Sequence, residues 1–332
     1  MIKRLWYFFG FMSVVVLLVL SMLQTTWFST YMLRRVMAER AGVVVKAVSV
    51  GGQHFYLPGR FHFQSVRVAL LLHGRELVAL APEVDVSGLQ QWFGPDRRFL
   101  LDVPQARLQY DKGDIKDLRA QFTVTAQGLS GPVSAAACQW DKWQVTDADA
   151  FMIVTASGVE LRALKFKAYD GVLTGKVMVG AATVPVSYAG EIFVEGLNVI
   201  KLGEVNPAIA DQLDGVTSGT VSFKGDVDSL QGMDASLAMP KGGNVSAALL
   251  AALTQYLPAS SEKKRLDRLI RQGGKLGMEL FSFTLKGGDQ GRFAGELHLR
   301  SRAINLELNL THEINTDGTI ASMLANWQKF VQ

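Results

Sequence analysis

Ala303-Ile304-Asn305-Leu306-Glu307-Leu308-Asn309-Leu310-Thr311 alternates apolar and polar residues along its length. A period of two sends Ile304, Leu306, Leu308 and Leu310 to one side of an extended chain and Asn305, Glu307 and Asn309 to the other. The stretch therefore predicts a strand with one apolar and one wet face, as in antiparallel sheet. Upstream the same period returns. Phe281, Phe283 and Leu285 alternate with Leu280, Ser282 and Thr284, and Phe293, Gly295, Leu297 and Leu299 with Ala294, Glu296, His298 and Arg300. Ala120, Phe122 and Val124, then Leu164 and Phe166, then Val221 and Phe223 repeat it earlier in the chain. At Phe61–Leu72 the phase slips from Phe61 and Phe63 to Val66, Val68, Leu70 and Leu72, which predicts a β-bulge near Gln64-Ser65.

A glycine pattern accompanies the strands. Asp170-Gly171-Val172-Leu173-Thr174-Gly175 matches Asp214-Gly215-Val216-Thr217-Ser218-Gly219 in spacing, and Gln290-Gly291 to Gly295 echoes both. Two glycines four apart predict a hairpin turn that feeds a closely packed strand. The 32 glycines against 9 prolines suit a chain full of turns. Helices are few. Asn244–Leu257 reads as one, stopped by Pro258, and Ser260-Ser261-Glu262 open a second that ends at Gly273-Gly274. The second has a narrow stripe of Leu266, Leu269 and Ile270 beside Lys263, Lys264, Arg265, Arg268 and Arg271. The pair reads as a hairpin covering part of a sheet. Thr319–Val331 reads as a closing amphipathic helix.

The 332 residues are 48% hydrophobic and 19% charged, with a mean hydropathy of +0.17. That is too apolar for a disordered chain. Much of the excess sits in Leu5–Leu33, which contains no charged residue. Trp6 to Trp27 spans 22 residues, or about 33 Å as a helix, enough to cross a bilayer core. Trp6 and Tyr7 at one end and Trp27 at the other fall where interfacial aromatics belong. The run is too long for a signal peptide and is followed by no Ala-x-Ala-like site, so it predicts an uncleaved anchor. Lys3 and Arg4 precede it and Arg34, Arg35 and Arg40 follow it, so charge does not set the orientation. Arg34 and Arg35 are candidates for headgroup contact from a juxtamembrane helix ended by Gly42.

Chemistry is harder to find. The net charge of +4 and the lack of a basic run interleaved with aromatics argue against a dedicated nucleic-acid binder. One cysteine, Cys138, excludes an intramolecular disulfide framework and any multi-cysteine zinc site. The five histidines make no His-x-x-x-His or His-Glu-x-x-His motif, and His62 and His298 fall on polar strand faces. Neither a Gly-x-Ser-x-Gly elbow nor a Walker-type phosphate loop is present. Asp147 and Asp149 are the one carboxylate pair of interest, and they sit where solvated surface acids usually do. The sequence thus assigns no catalytic residue, metal ligand or cofactor site.

The order of parts resembles a known family. Leu33–Val45, after the apolar run, is similar to the post-anchor helix and first strand of AsmA-like bacterial envelope proteins. Leu164–Val177 resembles the aromatic-Gly-x-x-x-Gly strand pair of that family, Asp214–Val227 its following glycine-spaced element, and Phe281–Leu310 the last strands of the TamB and YdbH group. The resemblance implies an inner-membrane, single-pass protein with its bulk in the periplasm. It implies an elongated, curved antiparallel sheet whose apolar side carries phospholipid or other acyl chains in lipid transport, outer membrane biogenesis or envelope maintenance. No enzyme activity and no cofactor are needed for that.

On this reading residues 1–42 are the transmembrane anchor and juxtamembrane helix, 43–240 the β-rich body and 241–275 a helical hairpin insertion. Residues 276–312 return to the same sheet and 313–332 close the chain as a helix. Phe166, Phe223, Phe281, Phe283, Ile304, Leu306, Leu308 and Leu310 are the candidate groove lining. Each is equally suited to a dry core, because a bound acyl chain and a filled core call for the same residue types. Lys263, Lys264, Arg268 and Arg271 join Arg34 and Arg35 as candidates for headgroups or an envelope protein partner. The alternative is an assembly component of an envelope or secretion machine, and an enzyme built on Asp147 and Asp149 is a third reading.

Overall fold

The structure, a computed structural model, describes residues 43–56, 59–72, 75–92, 97–180, 186–205, 212–226, 230–254, 261–287, 292–302 and 306–315, with positions 25, 26, 30 and 31. The anchor, the juxtamembrane helix and nearly all of the closing helix lie outside these residues. Among the described residues no helix is long and apolar enough to cross a membrane. The protein is mainly β and antiparallel, with a few short helices. Its chain divides into two compact units, Met1–Gln144 and Val145–Gln332.

In the first unit β1 (Val43–Tyr56), β2 (Arg60–Leu72), β3 (Arg75–Ser87), β4 (Phe99–Tyr110), β5 (Gly113–Thr125) and β6 (Gly128–Trp140) pair in chain order. A four-residue helix, α1 (Leu89–Trp92), joins β3 to β4. The phase slip in β2 occurs at Ser65, which takes a left-handed φ of 53°. No partner is skipped at that point, because Val50 still faces Val66 and Gly52 faces Gln64. The slip is therefore a paired kink and not the expected bulge. Gly51 lies opposite, where an added Cβ would stand 2.9 Å from that of Ser65. True register shifts occur elsewhere, between Val45 and Ala47 in β1 and in β3, β4 and β5.

In the second unit β7 (Trp143–Thr155), β8 (Gly158–Ala168), β9 (Gly171–Gly180), β10 (Ser187–Asn198), β11 (Leu213–Asp226) and β12 (Leu230–Met239) pair in chain order. β12 then pairs with β15 (Leu280–Gly287), followed by β16 (Arg292–Ser301) and β17 (Leu306–Asn315). Glu313, Ile314 and Asn315 thus continue a strand where a helix was expected. Between β12 and β15 the chain leaves to build a side ribbon, β13 (Gly243–Ser246) and β14 (Lys275–Met278), with β13 also paired to the start of β11.

The helical hairpin springs from that ribbon as α3 (Ala247–Thr254) and α4 (Ser261–Gln272), after α2 (Val199–Val205) has linked β10 to β11. The first helix begins three residues later than the sequence suggests. Asn244 is held in the ribbon by its side-chain donation to Asp214 Oδ2 (3.1 Å), and Ser246 Oγ caps the helix by accepting from the Leu249 amide (3.1 Å). Leu249, Leu250 and Leu266 are buried beneath the hairpin with Val199, Met239, Val245, Leu276, Met278, Phe281 and Leu299. Among the described residues this cluster holds the most fully buried leucines.

Candidate functional site

Strand register assembles the predicted lining. Leu310, Leu297, Phe283, Leu237, Gly219, Val194, Leu173 and Phe166 are successive partners from β17 back to β8. Leu308, Leu299, Phe281 and Met239 form the next row towards the ribbon. On the other side run Met233, Phe223, Gly190, Val177, Leu161 and Met152. In an antiparallel sheet register partners share a face, so Phe166, Phe223, Phe281 and Phe283 belong to one apolar face of the second unit, and Leu306, Leu308 and Leu310 stand in register with Ser301, Leu299 and Leu297. Ile304 lies outside the described residues.

That face changes character along its width. Under the helical hairpin Phe281 is 8% exposed and belongs to the dry cluster. Towards the middle Leu230, Ala235, Leu285 and Phe293 are buried, with Tyr188, Val221, Phe223, Met233 and Phe283 packed against them. Burial pushes the Tyr188 phenol up, and the nearby Asp226 carboxylate adds to that. On β7, β8 and β9 the same face is only half-buried at Met152, Val154, Leu161, Leu164, Phe166, Leu173 and Val177. Among the described residues of this unit, the main packing partners of β8 and β9 are their neighbouring strands, with no helix laid across them.

The first unit repeats the arrangement. Val48, Val68, Ala79, Leu108, Ile115 and Cys138 are register partners on its apolar face. Of these only Val68 is buried, and the rest of the row from Ala79 to Cys138 is half-buried. Burial raises the Cys138 thiol above its usual pKa.

The opposite faces carry charge. Lys176 meets Glu191 at 3.1 Å, Arg107 meets Asp114 at 2.8 Å and Arg162 meets Glu160 at 2.7 Å. Arg60 and His62 both donate to Asp85, at 3.1 and 3.2 Å if His62 carries its proton on Nδ1, and His298 contacts Glu307 at 3.1 Å. These two histidines thus lie on polar faces as expected but with carboxylate partners, which sequence spacing across strands does not reveal. Asp147 sits at a register shift with φ 51° and pairs with Lys167 at 2.9 Å, while Asp149 lies opposite Lys165. Each acid faces a lysine, and nothing brings the two together into a cleft. Among the described residues no group of three or more His, Cys, Asp or Glu is placed to hold a metal.

On α4 the apolar stripe of Leu266, Leu269 and Ile270 is consumed by the core. Lys264, Arg268 and Arg271 point their charge outward, and Lys263 is half-buried. Arg34 and Arg35 lie outside the described residues. One group escaped the sequence reading. Tyr110, Trp140 and Trp143 flank two adjacent turns of the first unit, and their signal is the repeated aromatic-Asp-Lys of Tyr110-Asp111-Lys112 and Trp140-Asp141-Lys142.

No family model, curated protein or solved structure matches the chain.

Proposed function

We propose that the protein is a membrane-anchored, AsmA-like lipid-handling protein whose apolar sheet faces shield acyl chains in the bacterial envelope. The observation that carries this reading is the half-buried apolar face of β7, β8 and β9, aligned in register and covered by no described helix. Apolar surface held in that state is costly in water, at about 25 cal/mol per Å², and an acyl chain laid on it removes both surfaces from solvent. The polar faces, laced with cross-strand ion pairs, stay wet. The charge-free run Leu5–Leu33 supplies the anchor, and the proposed setting is the inner membrane with the sheet on the periplasmic side. Lys264, Arg268 and Arg271 offer phosphate-binding charge beside the covered end of the face.

The hairpin-capped core favours a second reading, a non-catalytic assembly component. There Phe281 is buried against protein and is lost as a lipid contact, so a scaffold closed along its whole length is an extension of the same packing.

The two readings separate on the purified full chain, by native mass spectrometry with lipid extraction. The lipid-handling reading expects co-purifying phospholipid that disappears in Leu164→Asp while the fold persists, because that side chain is half-buried. A folded, lipid-free chain, or a Leu164→Asp variant that unfolds, moves the weight to the closed scaffold.

A further inference from the structure

At one end of the first unit the apolar face finishes in a row of Leu70, Leu77, Tyr110, Gly113 and Trp140, successive partners from β2 to β6. Gly113 provides the seat for the last ring. A Cβ there would stand 2.6 Å from Trp140 Cε3, so the indole lies over the glycine with the Tyr110 ring 6.1 Å away. Trp143 follows across the Asp141-Lys142 turn. The two turns are joined, because the Asp141 amide donates to the Lys112 carbonyl (3.2 Å), and Asp111 and Asp141 take left-handed φ values of 52° and 55°. Despite this ordered backbone, Trp140 is 48% exposed and Trp143 is 45% exposed.

We propose that this lip is a membrane contact in which Trp140 and Trp143 seat at the headgroup–acyl boundary of a phospholipid bilayer. Three features select a bilayer over a protein partner. Indoles with an apolar body and an N–H tip favour that boundary, as does the phenol of Tyr110. Each turn sets one acid beside one lysine, Asp111 with Lys112 and Asp141 with Lys142, a neutral pairing that matches zwitterionic headgroups. The charge-free run Leu5–Leu33 supplies a membrane for the lip to meet. The lip also continues the apolar face of its unit, so the inference rests on the lipid-handling reading for its purpose, though not for its geometry.

The test uses the full chain in phosphatidylcholine vesicles that contain phosphatidylcholine spin-labelled near the headgroup. In a Cys138→Ala background, an environment-sensitive fluorophore is placed at Lys142→Cys, and in a control at Gln127→Cys on the turn between β5 and β6. The anchor is common to both, so only the position of the probe differs. The proposal expects quenching several-fold stronger at position 142 than at 127, and its loss in Trp140→Ala/Trp143→Ala. Equal quenching at the two positions overturns it, as does quenching at 142 that survives the double substitution. Should the double variant fail to fold, the comparison of 142 with 127 in the otherwise unaltered chain decides alone. Lipid co-purification with the same proteins reads acyl-chain binding separately, so a dry lip and an empty sheet face give different results.

Discussion

The Phe223 ring on β11 lies directly over Gly190 on β10, so close that a Cβ at Gly190 would meet Phe223 Cζ at 2.5 Å. The glycine is a seat for an aromatic side chain on the apolar face. Gly175 has a different reason to lack a side chain, since a Cβ there would fall 2.0 Å from the Glu191 carbonyl oxygen. Gly190→Ala should destabilise the protein by about 1–3 kcal/mol, with much of the loss recovered by Phe223→Leu. Gly175→Ala should cost more and be recovered by no side-chain change, because backbone is in the way. Urea midpoints of the three variants check both statements.

Leu266 on α4 has no exposed surface, whereas Leu164 on β8 is half-buried on the open part of the face. Leu266→Ala is expected to cost about 2–5 kcal/mol, the range for a leucine removed from a packed core. Leu164→Ala should cost less than about 1.5 kcal/mol in lipid-free protein, because few atoms pack on it. Equal losses would mean that β8 is as closed as the hairpin core.

Arg107 donates to both oxygens of Asp114 across β4 and β5, at 2.8 and 2.9 Å. These hydrogen bonds hold the carboxyl below its ordinary value. A depressed folded-state value stabilises the protein above the ordinary aspartate range, about pH 3.9, and the contribution is lost as pH falls through the depressed value. Arg107 is half exposed to solvent, which screens the pair. Arg107→Gln should therefore lower the denaturant midpoint only slightly at neutral pH and not at all once the carboxyl is protonated. Denaturant midpoints of both proteins at neutral and strongly acid pH give the comparison.

The strands were legible because period two needs only a wet face and an apolar face. Leu164 and Phe166, Phe281 and Phe283, and Phe293 to Leu299 all occupy the strands their alternation implies. Kinks were less legible. The left-handed residues Asp117 and Ala163 shift the apolar phase as Ser65 does, from Ile115 to Leu118 and from Leu161 to Leu164, but the spacing alone does not say whether a register partner is skipped, as it is there, or kept, as at Ser65. The glycine repeat was half right. Tyr169-Asp170 form a tight turn with φ 49° and 64° before Gly171, yet Asp214-Gly215 lie inside β11 because β13 pairs with them. Its second glycines fit the expected close packing, with Gly175 against Glu191 and Gly219 against Ser236. Which part of the apolar face is covered was not legible, since Phe281 and Phe166 read alike until the helical hairpin is placed over one of them.

Cys138 faces Ile115 in the apolar row of the first unit, and burial raises its thiol pKa. The thiolate is the reactive form, so the folded chain should react with a thiol reagent at neutral pH more slowly than the unfolded chain. The rate should climb as pH passes the ordinary thiol range. Stopped-flow labelling at several pH values tests this, and a rate equal to that of the unfolded chain would place the thiol in open water.

Adjacent residues on β8 offer the sharpest test, because Phe166 lies on the apolar face and Lys165 on the polar one. A photoreactive benzophenone side chain at each position in turn, activated in cells making the full chain, reports what each face touches. A lipid-handling sheet face gives phospholipid adducts at position 166 and none at 165. No lipid at 166, or equal labelling at both, would contradict it.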